Sequence, residues 1–209
     1  KRGHKVTLFD KKSELGGQFN IAKQIPGKDE FYHTIRYFKN MLIANTVEIK
    51  LNTSVEKRDL INFDEVVIAT GIDPRIPKIK GIENPIVKTY LDVIYKKEHV
   101  GKTVAILGAG GIGFDTAEYL LEEYKETNSE FCDKWGIDLN GKYEGGLTEP
   151  QHKEPKRKVY LFQRKASKMG KGLGKTTGWI HRTSLKNNNV TMINGVQYEK
   201  IDDKGLHYT

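Results

Sequence analysis

Thr103-Val104-Ala105-Ile106-Leu107-Gly108-Ala109-Gly110-Gly111-Ile112-Gly113 is the stretch whose reading decides the fold. Residues 103–107 are a near-continuous apolar run, the pattern of a parallel strand buried on both faces. Gly108, Gly110 and Gly113 follow with G-x-G-x-x-G spacing. Phe114, Ala117, Leu120, Leu121 and Tyr124 then recur at three- and four-residue steps, as one face of a helix does. The first glycine permits a tight turn, the second lets a pyrophosphate approach the backbone, and the third lets the helix pack on the strand. The helix N-terminus adds unpaired N–H donors and partial positive charge. A glycine turn that merely joins strand to helix is the competing reading; the strand before and the helix after favour a nucleotide.

Downstream, residues 126–157 are polar and carry Gly145-Gly146, Pro150 and a charged run from Lys153 to Lys158, which reads as a long insertion. A second strand at 159–162 ends in Phe162-Gln163-Arg164-Lys165, with Lys168 close behind. That strand end reads the adenosine ribose, an acid suiting NAD and a base suiting the 2′-phosphate of NADP. No acid stands there, so NADP is expected. The usual spacing from the glycines is about 20 residues, and the insertion lengthens it here. Lys and Arg at a strand end can also be plain solvated surface.

Gly170-Lys171-Gly172-Leu173-Gly174-Lys175-Thr176 resembles a P-loop but fails by one residue, because Met169 stands where the first glycine belongs. A mobile glycine loop beside the cofactor is expected instead. Residues 176–187 read as a helix with Trp179 and Ile180 inward, residues 190–193 as a strand, and Asp203-Lys204-Gly205 as a hairpin turn between two final strands.

Upstream, residues 6–9 form a short strand closed by Asp10, and Glu14-Leu15-Gly16-Gly17-Gln18 is turn-rich. Phe31, Ile35, Phe38, Met41 and Leu42 mark a helix over residues 28–44, and residues 48–51 and 65–69 read as strands. Pro74, Pro77 and Pro85 follow Thr70-Gly71, and proline removes donors from either periodicity. The expected organisation is a partial nucleotide-binding domain at 1–72, a linker at 73–100 and an NADP-binding domain at 101–209. The fold class is α/β, with Rossmann-like doubly wound parallel sheets. Because a strand begins almost at once, the chain is expected to start inside a domain.

Composition narrows the function classes. With 37% hydrophobic and 10% aromatic residues in 209, the chain can build a core and is not wholly disordered. No apolar run reaches the roughly 20 residues of a membrane span. The single Cys132 cannot form an intrachain disulfide or a thiolate cluster, which suits a reducing, cytoplasmic compartment. A net charge of +8 favours polyanionic partners. The Lys and Arg residues are scattered, without an aromatic-interleaved basic strand or recognition helix, so nucleic acid is not expected and a phosphate-rich cofactor is. Cys132 and the histidines lack ligand or catalytic spacing. His181 reads as a surface or satisfied side chain and Asp202-Asp203 as turn chemistry. Neither a catalytic residue nor a metal site is expected in this chain. Asp10 sits where a strand end binds adenosine ribose, and serves equally as a cap.

Taken in order, Phe9-Asp10, Gly16-Gly17-Gln18, Ala69-Thr70-Gly71, Gly108 to Gly113 and Gln163-Arg164-Lys165 resemble the two-nucleotide, disulfide-reductase-like module of fused old-yellow-enzyme flavoproteins. The resemblance is nearest to the NADPH-dependent 2,4-dienoyl-CoA reductases. It is carried by Gly16-Gly17-Gln18-Phe19-Asn20-Ile21-Ala22-Lys23, Gly111-Ile112-Gly113-Phe114-Asp115-Thr116-Ala117 and the run from Gly172 to Arg182, and it covers essentially the whole chain. It implies an enzyme with an FMN barrel, a [4Fe–4S] cluster and this FAD and NADPH module, in which hydride passes from NADPH to FAD. By the same resemblance Asp10 would hold the FAD ribose, Gln18 and Lys28 would line the flavin site, Val55 would contact adenine through its backbone, and Gly71 would approach the FAD. Arg164 and Lys165 would hold the 2′-phosphate, with Trp179 near the same nucleotide. The barrel, the cluster cysteines and the first FAD glycine loop have no counterpart here, so this chain alone is expected to bind FAD poorly and to reduce no dienoyl-CoA. A relative acting on another enone or an amine, and a non-catalytic nucleotide-binding module, are the alternatives.

Overall fold

Parallel strands cannot be joined by a tight turn, so each parallel pair needs a crossover, and the chain supplies helices in those places. A computed structural model describes residues 2–121 and 126–209, in two units, Lys1–Arg75 and Ile76–Thr209. Lys1 and Tyr124, the last position of the expected helical stripe, lie outside the described residues.

In the first unit, β1 (Thr7–Phe9) pairs in parallel with β2 (Glu48–Lys50), Leu8 standing opposite Ile49. The crossover carries α1 (Phe19–Ala22) and α2 (Phe31–Ala44), whose Phe19 and Phe31 rings stack at 4.6 Å. Ile21, Ile25 and Ile35 are buried. Of the stripe predicted for α2 only Ile35 is fully buried, and Phe38 is exposed. Residues 65–69, expected as a strand, are irregular, with Val67 and Ile68 more than four-fifths exposed. β-Propensity is satisfied only by a partner edge, and no described strand pairs with this segment.

In the second unit, β3 (Thr103–Leu107), β4 (Lys158–Gln163) and β5 (Thr191–Asn194) form a parallel sheet in that order. Against it lie α3 (Gly111–Leu121) and α5 (Gly178–Asn187). Phe114, Ala117, Val159, Leu161, Met169, Leu185 and Val190 make the core between them. β3 departs from the both-faces expectation. Ile106, opposite Leu161, packs on the core, whereas Thr103 and Ala105 are exposed because the described residues cover only one face there. α5 also departs: its inward positions are Gly178 and Leu185, two helical turns apart, while Trp179 and Ile180 fall off that stripe and are exposed. The predicted final hairpin is present as β6 (Tyr198–Asp202) and β7 (Gly205–Tyr208), antiparallel, with Tyr208 edge-on to Phe162 at 4.7 Å.

The second unit begins at Ile76, and in it the π-helical turn Leu91–Tyr95 buries Val93 and Ile94. The polar insertion holds a further helix, α4 (Asn128–Trp135), with a Thr127/Glu130 capping box and Gly136 closing it in the left-handed conformation. Cys132, a free thiol, is buried on α4. The Arg157 guanidinium ties the end of the insertion to α3 by donating to the Leu120 carbonyl at 3.0 Å. Among the described residues no helix is long and apolar enough to cross a membrane.

Candidate functional site

The β3–α3 turn is built as its glycine spacing demands. Gly108 has φ +115°, a conformation closed to other residues at low cost, and its N–H donates to the Phe162 carbonyl at 2.9 Å. A Cβ on Gly113 would lie 1.9 Å from the Gly108 carbonyl oxygen and 3.4 Å from Leu161, so the missing side chain is what lets α3 close on β4. A Cβ on Gly110 would meet nothing within 4 Å. The backbone there faces open space, as a group approached by a phosphate must. The first turn of α3 carries no acidic side chain to repel an anion. The 11-residue helix therefore presents its unpaired first-turn N–H groups beside an accessible glycine backbone.

The β4 end lies on the same sheet, one strand away. Arg164, Lys165 and Lys168 are exposed there, and no acid intervenes. Arg164 stands close enough to Tyr198 for its charge to oppose the upward push of burial on that phenol. The loop after β4 is held by amide side chains. Gln163 Nε2 donates to the carbonyls of Lys165 and Ser167, both at 2.8 Å. Asn194 Nδ2 donates to the carbonyls of Ala166 at 2.9 Å and Ser167 at 3.2 Å. The Gly195 N–H adds a bond to the Lys165 carbonyl at 3.2 Å.

The glycine-rich segment that follows is anchored at its start. Met169 is buried, a Cβ on Gly170 would sit 2.9 Å from the Phe114 ring, and Arg182 donates to the Gly170 carbonyl at 3.3 Å. α5 begins at Gly178, not directly after Lys175-Thr176, so the phosphate geometry of a P-loop is absent. Trp179, on the first turn of α5, exposes its ring.

In the first unit, Asp10 follows β1. Its Oδ1 accepts from the Lys12 N–H at 2.9 Å, the cap reading, while Oδ2 has no protein hydrogen bond among the described residues. Gln18 donates to the Ile72 carbonyl at 3.2 Å, which brings it beside Gly71, a glycine with φ +76° and open space over its Cα. Lys28 lies in the connection before α2 and is half-buried. Val55 is exposed, and its backbone makes no protein hydrogen bond among the described residues. Asp10, Gln18 with Gly71, and Val55 thus offer an acceptor, a carboxamide beside bare backbone, and free main-chain groups. A dinucleotide requires groups of those kinds.

Three arrangements escaped sequence reasoning. Gln163 and Asn194 clamp the loop after β4, and only their register as neighbours on adjacent strands reveals it. Asn20, buried on α1, donates to the Leu15 carbonyl at 3.1 Å and so fixes the Gly16-Gly17 turn. Glu118 on α3 is buried and meets His181 Nδ1 of α5 at 2.7 Å, which makes His181 a satisfied histidine. No cluster of three or more His, Cys, Asp or Glu among the described residues could hold a metal ion.

Comparison with known proteins places the chain. The family model described as pyridine nucleotide-disulphide oxidoreductase matches residues 1–209. A cinnamate reductase of Clostridium sporogenes is 38% identical over 128 residues, 60% of this chain and 19% of that protein. An NADH oxidase of Thermoanaerobacter brockii is 36% identical over 150 residues, 66% of this chain and 22% of that protein. A solved structure of 2-naphthoyl-CoA reductase in complex with 2-naphthoyl-CoA superposes with a TM-score of 0.78 at 25% identity, over 100% of this chain and 27% of that one. The chain spans less than a third of the length of each of these relatives.

Proposed function

The chain belongs to the pyridine nucleotide-disulphide oxidoreductase family, and from that premise we propose that it is the FAD- and NADPH-binding module of a larger flavoprotein reductase. The observation that carries the reading is the Gly108–Gly113 turn, with an accessible backbone at Gly110 and three basic residues at the neighbouring strand end. Bound there, NADPH would supply a hydride and FAD would accept it; the cofactors carry the redox chemistry.

The protein's part is binding and orientation. Gly108, Gly110 and Gly113 with the first turn of α3 hold the pyrophosphate, Arg164 and Lys165 take the 2′-phosphate, and Trp179 lies along the same nucleotide. Asp10, Gln18, Lys28, Val55 and Gly71 hold the FAD. Within the whole enzyme, with an FMN barrel and a [4Fe–4S] cluster as further parts, the acceptor is a conjugated acyl-CoA, for which 2,4-dienoyl-CoA esters are the leading candidate. The likeness to a cinnamate reductase and to a reductase solved with 2-naphthoyl-CoA supports an unsaturated, conjugated substrate. The organisation proposed is 1–72 for FAD, 73–100 as connection and 101–209 for NADP, in a cytoplasmic enzyme.

NADH as the donor is the second reading, supported by the likeness to an NADH oxidase. Calorimetric titration of NADPH against NADH, repeated with Arg164→Glu/Lys165→Ala, separates the two. A preference for NADPH that vanishes in the double variant is the expected result; tighter binding of NADH by the unaltered chain would favour NADH, and equal affinity would support neither.

A further inference from the structure

The loop after β4 turns its carbonyls one way. Those of Lys165, Ala166 and Ser167 all accept from Gln163, Asn194 or the Gly195 N–H. A trans peptide sets each carbonyl opposite the N–H of the next residue. Gathering these three carbonyls on one side therefore directs the N–H groups of Ala166, Ser167 and Lys168 to the other. None of those three N–H groups has a protein acceptor among the described residues. Arg164, Lys165 and Lys168 are exposed on the same short loop. Successive outward N–H groups in a bend, flanked by cations, offer hydrogen-bond donors and positive charge to an anion.

Resting on the NADPH reading above, we infer that Gln163 and Asn194 are positioning residues for the 2′-phosphate: their side-chain amides lock the loop so that its outward backbone N–H donors and the Arg164 and Lys165 side chains are held ready for that group. Selectivity then comes from a preorganised backbone as well as from charge. Gln163 sits at the last position of β4 and Asn194 directly opposite it at the last position of β5, so the sheet register fixes the clamp.

Adenosine 2′,5′-bisphosphate and adenosine 5′-monophosphate differ only in the 2′-phosphate, and calorimetric titration of both is the test. In the unaltered chain the bisphosphate should bind more tightly. Asn194→Ala, at an exposed position, and Gln163→Met should each lower bisphosphate affinity about tenfold, the scale of one charge-assisted hydrogen bond. Monophosphate affinity should stay unchanged, which also reports an intact fold. In the background Arg164→Ala/Lys165→Ala, adding Asn194→Ala should cost much less, because a positioning residue loses its effect when the groups it positions are gone. Retained bisphosphate preference, equal loss of both ligands, or an undiminished loss in that background would each overturn the inference while leaving the NADPH reading standing. A second measurement needs no variant. In the unaltered chain the amide resonances of Ala166, Ser167 and Lys168 should shift with the bisphosphate and not with the monophosphate; identical responses would overturn the inference. No preference for the bisphosphate in the unaltered chain would overturn the NADPH reading itself.

Discussion

Replacing Gly113 and Gly110 by alanine, one at a time, separates the two jobs of the glycine loop. At Gly113 the new Cβ would stand 1.9 Å from the Gly108 carbonyl oxygen, and that atom is backbone held by the Phe162 carbonyl's bond to the Gly108 N–H. Relief to an ordinary contact of about 3.5 Å requires α3 to lift by roughly 1.5 Å. A gap of that size strips much of the dispersion contact between Phe114 and Ala117 on the helix and Val159 and Leu161 on the strand. Overpacking of this kind costs about 1–3 kcal/mol, and an unyielding backbone obstacle puts it at the upper end. Alanine's better helix propensity returns about 1 kcal/mol, so the clash wins by about 2 kcal/mol. For a unit the size of Ile76–Thr209, that is a fall in Tm of about 6 °C. At Gly110 the backbone has no positive φ and the Cβ meets nothing, so Tm should hold within about 2 °C, while the methyl group occupies the space a pyrophosphate must enter. Thermal unfolding followed by circular dichroism, paired with NADPH titration, reads both effects. Gly113→Ala with an unchanged Tm would refute the packing argument. Gly110→Ala with undiminished NADPH affinity would refute the loop as a phosphate cradle.

Two further predictions concern stability. Asp92, in the first turn of Leu91–Tyr95, accepts from Lys96 Nζ at 2.7 Å and from Thr89 N–H at 2.7 Å, and the Lys96 and Thr89 bonds hold its carboxyl well below the usual carboxylate range. Its contribution is present above the unfolded carboxylate pKa of about 3.9 and is lost as pH falls through the lower folded value. Asp92→Asn should therefore lower Tm near neutral pH by an amount that shrinks on acidification; a pH-independent difference would show that the charge is irrelevant. His181→Ala removes one partner of the buried Glu118 carboxylate and should cost about 1–3 kcal/mol in urea unfolding, with a loss below about 0.5 kcal/mol contradicting any α3–α5 coupling through this pair.

Much of the second unit was legible because its signals are local. β3, β4, β5 and the β6–β7 hairpin follow from short apolar runs and an Asp203-Lys204-Gly205 turn, patterns that neighbouring residues impose on each other. Two of the misreadings are non-local. Residues 65–69 have the composition of a strand but no described partner, and Trp179 and Ile180 have the character of core residues but the wrong phase of the helix. The insertion's α4 was hidden by a polar average, although Thr127 and Glu130 carry its capping signature.

By itself, the sequence determined that a tight glycine turn must join a strand to a helix and that basic residues, not acidic ones, follow the next strand. Backbone sterics and charge are properties of a few consecutive residues. Only the tertiary structure decided that Gln163 and Asn194 meet the same loop and that Glu118 reaches His181. Parallel register and helix phase bring those residues together across 31 and 63 positions of chain, and no local pattern encodes such distances.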